Sequence, residues 1–421
     1  MAPKNYPQFF KRTLCDRKLP NEVHKDADER TKEFMHAWRS RRRFEKQQSV
    51  VFMNTFMQGE GSIDKESVET LQKFAKEGIY PLKSVMRTYE NWNRVKRKIK
   101  TRPDSQFGIS HVPHGSKLYD LIIRQTTGMS VARVRALGHR EFMKTKRELL
   151  KVTKTKTLKE AAYKCKEQTT SFESYKHVED FIKHKILGDL MRVCKETFHR
   201  VPKKLSEFPP IEVRKLRPGM SMAYYELPSS TCKYPFGKPS DKGRVVVQIE
   251  DLKRVNIAEL TVLIAHEVFP GHFFQTIEYP TAPYIFANWY VEGWALYTER
   301  LCDMFGPMFV AARLLMRLLR SARCIIDPAI HLDGLTFSDA KKRFKKMLPH
   351  LSTTVRNAEL LRYAAIPGQA CGYLPGAVQI ERWSKKYSHD LKRFHDVLLS
   401  GGAGSVAYVR ANLIRSLRRR R

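Results

Sequence analysis

The sequence predicts a mainly α-helical protein with one short β-element. Residues 118–204 carry apolar residues at helical spacing with Lys and Arg on the other faces, and helical patterns dominate again beyond residue 250. Val245–Ile249 (VVVQI) is short and β-branched, which is typical of a strand. At 421 residues the chain can bury a core in one large domain or in two ordinary ones.

Breaks in the helical pattern divide the chain into three predicted parts. Residues 1–105 are expected to form a basic helical N-terminal extension, residues 106–390 the domain with the candidate chemistry, and residues 391–421 a basic C-terminal helix and tail. The first boundary is marked by four helix-breaking residues: Pro103, Gly108, Pro113 and Gly115.

Charge is the most unusual feature of the composition. The chain has 78 Lys and Arg against 43 Asp and Glu, a formal net charge of +35, which favours nucleic acid, an anionic membrane surface or an acidic partner. Dense basic clusters occur at 39–43, 94–100 and 418–421. One such cluster is usually a solvated helix face, but several together favour a phosphate-rich partner whose binding weakens with salt. No RNA-binding aromatic signature or Cys/His finger supports sequence-specific readout.

The sequence predicts an intracellular protein. No run of about 18 apolar residues occurs, so no membrane-spanning helix is expected. The N-terminus lacks the apolar middle of a secretory signal, and cytoplasm, mitochondrion and nucleus all stay open. The seven cysteines form no CxxC pair, which indicates free and mostly buried thiols in a reducing compartment.

The chemistry-bearing segment begins at Asn256, a favourable N-cap with Glu259 three residues later. The apolar helix predicted after it carries His266, Glu267 and His272. A buried helix seldom holds ionisable side chains without a partner, and a divalent cation is one such partner. The alternative is a buried polar network without metal.

The spacing of the two histidines departs from the H-E-x-x-H pattern of zinc peptidases, whose histidines lie one helical turn apart. Here they are six residues apart, which places the side chains about 240° apart around a straight helix. The two rings therefore converge only if Pro270 and Gly271 break the helix.

Glu292 opens the next predicted helix and offers a third ligand. Two histidines and a glutamate with one open position form a common catalytic zinc set, although Fe or Mn fits the same ligand types. In this scheme Glu267 is the general base that deprotonates water. Glu299 or Asp327 is expected to orient a ligand histidine from behind.

These segments resemble domain-of-unknown-function family 885, a zincin-like group, over roughly residues 107–385. The resemblance is carried by three groups of motifs: H-E-x-x-P-G-H-x-x-Q at 266–275, EGWALYTE at 292–299, and Arg323, Asp327, His331, Glu359, Arg362, Tyr363, 367–370 and Tyr373 further on. Upstream, Gly108, Gly115, Tyr119, Thr126 and Thr127 also match.

The resemblance implies a mostly helical zincin-like metallohydrolase fold and metal-dependent peptidase or amidase activity on an unidentified peptide or amide. Within the matching motifs, Tyr363 and His331 are candidates for stabilising the oxyanion, and Arg362 and Tyr373 for binding substrate. The alternative is a non-catalytic zincin-like protein that acts as a basic structural component of an RNA or nucleoprotein particle.

Overall fold

A computed structural model describes residues 104, 107–111, 115–167, 169–216, 222–226, 242–278, 288–401 and 406–418. The predicted N-terminal extension, apart from residue 104, lies outside these residues, as do the basic clusters at 39–43 and 94–100. The predicted division into domains stays a prediction.

The described part of the chain is mainly helical, which confirms the prediction of a mainly α-helical protein. Its α-helices are α1 (Gly115–Thr127), α2 (Val131–Thr153), α3 (Leu158–Glu167), α4 (Tyr175–Phe181), α5 (Leu187–Cys194), α6 (Ile257–Glu267), α7 (His272–Glu278), α8 (Asn288–Thr298), α9 (Pro307–His331), α10 (Phe337–Met347), α11 (Thr353–Ala365), α12 (Tyr373–Lys386), α13 (Leu391–Ser400) and α14 (Val406–Arg418). A π-helical turn, Ile182–Ile186, joins α4 to α5. No helix among the described residues is long and apolar enough to cross a membrane.

Helix α9 is the centre of the helical packing. It begins with Pro307 in its first turn, where the missing N–H costs no hydrogen bond, and it contacts α2, α6, α10, α11 and α12. Its arginines point into the protein and are paired with acids from other elements. Arg317, for example, donates to Glu381 at 2.7 Å and to Glu141 at 2.9 Å. Such pairing is what makes buried charge tolerable.

The β-structure is a three-stranded sheet and a short two-stranded ladder. Strand β4 (Arg244–Ile249) lies in the middle of the sheet, parallel to β2 (Ile211–Lys215) and antiparallel to β3 (Ala223–Glu226). The short ladder pairs β1 (Thr169–Thr170) with β5 (Val255–Asn256), immediately before α6. Strand β4 contains the predicted strand, and its valines are fully buried, as an apolar run in a central strand requires.

One apolar core surrounds α6 and joins it to the sheet. Val245 and Val247 of β4 pack in the same cluster as Ile264, Phe269 and Trp294. The C-terminal helices contribute to this core as well, through Phe394, Leu398, Leu399, Val409 and Leu413. A second apolar cluster lies between α2, α3, α9, α10 and α11. The first core holds the segments that carry the candidate metal ligands in a fixed arrangement.

Candidate metal centre

The helix that carries His266 breaks where the Pro-Gly pair occurs. Asn256 caps α6 by accepting from the backbone N–H of Glu259 at 2.9 Å, and α6 ends at Glu267. The Phe269–Pro270 peptide bond is cis, and α7 then begins at His272. A Cβ atom on Gly271 would lie 1.8 Å from the backbone oxygen of His266, so only glycine fits this close approach.

The break turns the two imidazoles toward each other. The ring centroids of His266 and His272 are 4.9 Å apart, with the ring planes at 89°. Trp294 of α8 donates its indole N–H to the carbonyl oxygen of Pro270 at 2.8 Å and ties the break to the next helix. The helix break that the sequence analysis required for the two histidines to converge is therefore present.

Glu292 of α8 completes the cluster. One carboxylate oxygen of Glu292 lies 3.6 Å from His266 Nε2 and 3.4 Å from His272 Nε2. One ligand atom from each of the three residues lies within 4.8 Å of the other two. Tetrahedral zinc ligands at about 2.0–2.1 Å from the ion would be about 3.4 Å apart, so the two measured separations match such a site.

Two polar atoms of the cluster lack a hydrogen-bond partner, and one of them is a carboxylate oxygen that a cation could bind. Glu292 Oε2 and His272 Nδ1 are buried and have no hydrogen-bond partner. Burial opposes the charge on Glu292, but the two imidazoles outweigh it and hold the pKa of Glu292 well below its usual range. A buried, ionised oxygen without a hydrogen bond is costly, and a metal ion is the partner that this donor set suits.

Glu299 contacts His266 on the side of the ring away from Glu292. It is one of the two residues that the sequence analysis expected to orient a histidine. Its Oε1 is 2.9 Å from His266 Nδ1, and its side chain is fully buried. Burial alone would lower the pKa of His266, but contacts with Glu292 and Glu299 raise it to about 9. The same carboxylate that orients the ring therefore also stabilises its protonated form.

Asp327, the other alternative, lies elsewhere. Its Oδ1 accepts from the Tyr119 hydroxyl and from the backbone N–H of Gly368 at 3.0 Å, and Cys371 Sγ is 3.7 Å away. Burial raises the pKa of Asp327 to about 7. The aspartate therefore belongs to a buried network with Tyr119, and the contact behind His266 is made by Glu299.

Glu267 is held by the sheet. Its Oε2 accepts from the backbone N–H of Tyr225, on β3, at 3.0 Å. Because β3 is an outer strand of the described sheet, its N–H groups on the side away from β4 face α6. The predicted general base is thus fixed next to His266, a candidate ligand, by a main-chain hydrogen bond that the sequence pattern did not indicate.

Tyr373, which the sequence predicted as a substrate-binding residue, lies against His266. Its ring stacks on that of His266, with centroids 6.4 Å apart and planes at 16°. The guanidinium of Arg323 lies 4.7 Å from the Tyr373 ring, and that of Arg320 lies 5.9 Å away. Burial, followed by the charge of Glu292, raises the pKa of Tyr373, so its hydroxyl stays protonated and can donate.

The structure differs from the sequence prediction for Tyr363 and His331. His331 is fully buried; its Nδ1 accepts from the backbone N–H of Ile109 at 3.1 Å, and its Nε2 lies 2.9 Å from the backbone oxygen of Tyr363. The Tyr363 hydroxyl donates to Glu359 at 2.6 Å. Both groups are committed to other partners, so the geometry does not support an oxyanion role for either of them.

Arg362 is also engaged with protein groups. It donates to Glu359 at 3.2 Å and to the Gln369 side chain at 3.0 Å. Arg320 and Arg323 are the basic groups that lie over Tyr373, and Arg320 was missed by the sequence reasoning. Arginines spaced three or four residues apart on an otherwise apolar helix are the signal that indicates a buried charged face there.

These features define a mainly helical protein with a cluster of two histidines and one glutamate at a broken helix. The model of the family described as "Bacterial protein of unknown function (DUF885)" matches residues 21–413, and the chain belongs to this family. The match extends well beyond the motifs at 107–385 on which the resemblance rested.

Two solved structures are similar to this chain. The crystal structure of the putative lipoprotein from Colwellia psychrerythraea has 20% identity and a TM-score of 0.64, over 97% of this chain and 79% of that protein. A putative lipoprotein of unknown function from Shewanella oneidensis has 20% identity and a TM-score of 0.56, over 86% and 69% respectively. At this identity the likeness shows the fold alone. Curated protein sequences yield no significant match.

Proposed function

We propose that the protein is a zinc-dependent hydrolase of metallopeptidase type that cleaves a peptide or amide bond. The observation that carries the proposal is the cluster of His266, His272 and Glu292, in which one buried carboxylate oxygen without a hydrogen bond lies 3.6 and 3.4 Å from the two imidazole nitrogens. Zinc held by two imidazoles and a carboxylate supplies Lewis acidity for a carbonyl and lowers the pKa of water.

The protein groups around the cluster fit the remaining steps of hydrolysis. Glu267, fixed by the Tyr225 N–H, accepts the proton of the attacking water and later delivers it to the leaving amine. The Tyr373 hydroxyl donates a hydrogen bond to the carbonyl oxygen as it gains negative charge. Glu299 keeps the ring of His266 in the orientation that presents Nε2 to the cluster.

Metal content tests the first part of the proposal. Purified protein loaded with zinc and desalted should retain one zinc per chain, measured by elemental mass spectrometry. The His266→Ala variant should retain far less, because two protein ligands hold the ion much more weakly than three. The matched control is His350→Ala, which removes a histidine outside the cluster. Wild-type protein that retains no stoichiometric zinc would refute the metal centre.

Turnover of a peptide library, followed by mass spectrometry, tests the second part. Loss of one oxyanion donor commonly lowers kcat by about 10²–10³. We therefore expect that fall in Tyr373→Phe with zinc content unchanged. Tyr363→Phe, the same change at the hydroxyl bound to Glu359, should keep most of the activity. Equal losses in both variants would contradict the assignment of Tyr373.

The alternative of a non-catalytic protein in a nucleoprotein particle stays a prediction. Stoichiometric zinc without turnover of any peptide or amide would favour it over the hydrolase. The intracellular location also stays a prediction, since both similar structures are described as putative lipoproteins.

A further inference from the structure

A row of unpaired basic side chains runs along the solvent face of α2. The row consists of Arg133, Arg140, Lys144, Arg147 and Lys151, all of them exposed, and is called the basic stripe here. At 100° per residue, the five side chains fall within about 60° of arc, and they extend over about 27 Å of helix. The stripe is therefore a straight line of five positive charges.

No acid that the structure describes forms a salt bridge with the stripe, although Lys144 lies near enough to Glu381 for its charge to act on that carboxylate. Among the residues that the structure describes, none forms a salt bridge or hydrogen bond with the side chain of any stripe residue. Arg135, on the same helix but outside the stripe, shows the contrast because it pairs with Asp333. Of the two glutamates in the middle of α2, Glu141 is buried against Arg317, and only Glu148 is exposed.

The neighbouring surface adds positive charge. Helix α10 exposes Lys345 and Lys346, and also Lys342, which pairs with Asp339. Burial and then the charges of Arg343, on α10, and Arg135 lower the pKa of His139, on α2. Arg343 therefore lies near enough to α2 for its charge to act on His139. A surface of one sign attracts a polyanion and holds it by exchange with counterions.

The packing of α2 favours nucleic acid over a membrane. A helix that lies in a membrane interface needs a free apolar face. The apolar residues of α2, such as Val134, Leu137 and Leu149, are instead buried in the protein, and Met143 is its one exposed large apolar side chain. A line of positive charge on a helix that is packed into the protein suits the phosphates of a nucleic-acid backbone.

We propose that the basic stripe binds the phosphodiester backbone of nucleic acid without sequence specificity. The stripe lies on the helix that packs along α9, whereas the histidines lie on α6 and α7, so this binding does not depend on the proposed hydrolase. Arginine and lysine at these positions contact phosphate oxygens directly, and the guanidinium groups can do so through two hydrogen bonds.

Salt-dependent binding tests the proposal. Full-length protein is titrated into a fluorescein-labelled 20-nucleotide single-stranded RNA, and into the duplex of the same sequence, at several salt concentrations, and anisotropy is recorded. The variant Arg140→Gln/Lys144→Gln/Arg147→Gln removes three charges. The slope of log affinity against log salt should become shallower by about 2 for the single strand, and should also become shallower for the duplex, whichever form engages the stripe. Affinity at low salt should fall in parallel.

The control variant is Lys195→Gln/Lys203→Gln/Lys253→Gln, which removes the same charge from exposed lysines outside α2. It should keep the wild-type slope, which separates the stripe from net charge and from basic segments elsewhere in the chain. Circular dichroism checks that both variants keep the wild-type melting temperature.

Three results would overturn the proposal. One is wild-type protein that fails to bind either nucleic acid at low salt. Another is an equal loss of slope in the stripe and control variants. The third is a stripe variant that binds nucleic acid normally but no longer binds vesicles containing phosphatidylserine, which would assign the stripe to a membrane surface.

Discussion

Replacing Glu299 with glutamine tests the contact that orients His266. The substitution keeps the shape of the side chain but removes the charge that lies 2.9 Å from His266 Nδ1 in a fully buried position. Loss of such a partner behind a metal ligand typically costs 10- to 100-fold in metal affinity, or about 1.4–2.7 kcal/mol. We expect this loss in full at a pH where the ring is already neutral.

The size of the loss should depend on pH, because Glu299 also stabilises the proton that the metal must displace. With the pKa of His266 at about 9, the apparent zinc affinity of the wild type should rise about 80-fold between pH 6.5 and 8.5. Without the carboxylate the pKa of His266 falls, and the affinity of Glu299→Gln should rise less over the same range. The two affinities should therefore converge as the pH falls.

The assay is calorimetric titration against zinc buffered by a competing chelator at pH 6.5, 7.5 and 8.5. Glu259→Gln, the same change on α6 at a carboxylate outside the cluster, serves as the matched control and should follow the wild-type curve. The reasoning is refuted if Glu299→Gln binds zinc as tightly as the wild type at pH 8.5, or if its pH curve runs parallel to that of the wild type.

Three further predictions concern stability, measured by urea unfolding. Gly271→Ala should cost at least about 2–3 kcal/mol, because the added Cβ meets the His266 backbone at 1.8 Å, whereas Gly188→Ala, with no atom within 4 Å, should gain up to about 1 kcal/mol. Asp327 has a pKa of about 7 when folded and 3.8 otherwise, so the folded state binds more protons between these values, and this group alone should contribute a loss of about 2 kcal/mol from pH 5.5 to 7.5. Asp327→Asn should lack this loss, and an unchanged pH slope would contradict it. Trp294→Phe removes the indole donor to the break and should cost about 1–3 kcal/mol, so a stability equal to the wild type would show that this bond contributes nothing.

Local patterns predicted the helical class, the central strand and the break, but not β1, β2, β3 and β5. The β-branched run at 245–249 forms the central strand, and Asn256 caps α6 as the sequence indicates. The Pro-Gly pair predicts the break after Glu267, because proline and glycine act on the backbone of their immediate neighbours. Each of these features depends on residues within a few positions of one another. They can therefore be predicted without knowledge of the fold.

Contacts between segments that are distant in the sequence could not be predicted from local patterns. Tyr363 and Tyr373 are the same residue type, ten positions apart, yet only Tyr373 stacks on His266, because α12 and α11 present their side chains to different neighbours. Likewise Glu299 and Asp327 were equivalent candidates until packing placed Glu299, at the start of the 3-10 helix after α8, behind His266, and Asp327, on α9, beside Tyr119.

The amino-acid sequence alone determined the helical class, the central strand, the break and the candidate ligand types, since backbone preference and side-chain chemistry are local. Which carboxylate, phenol and guanidinium meet at the histidines was decided by tertiary packing. Burial in a shared core brings together side chains that are tens or hundreds of residues apart in the sequence. Their distance in space therefore cannot be predicted from their spacing along the chain.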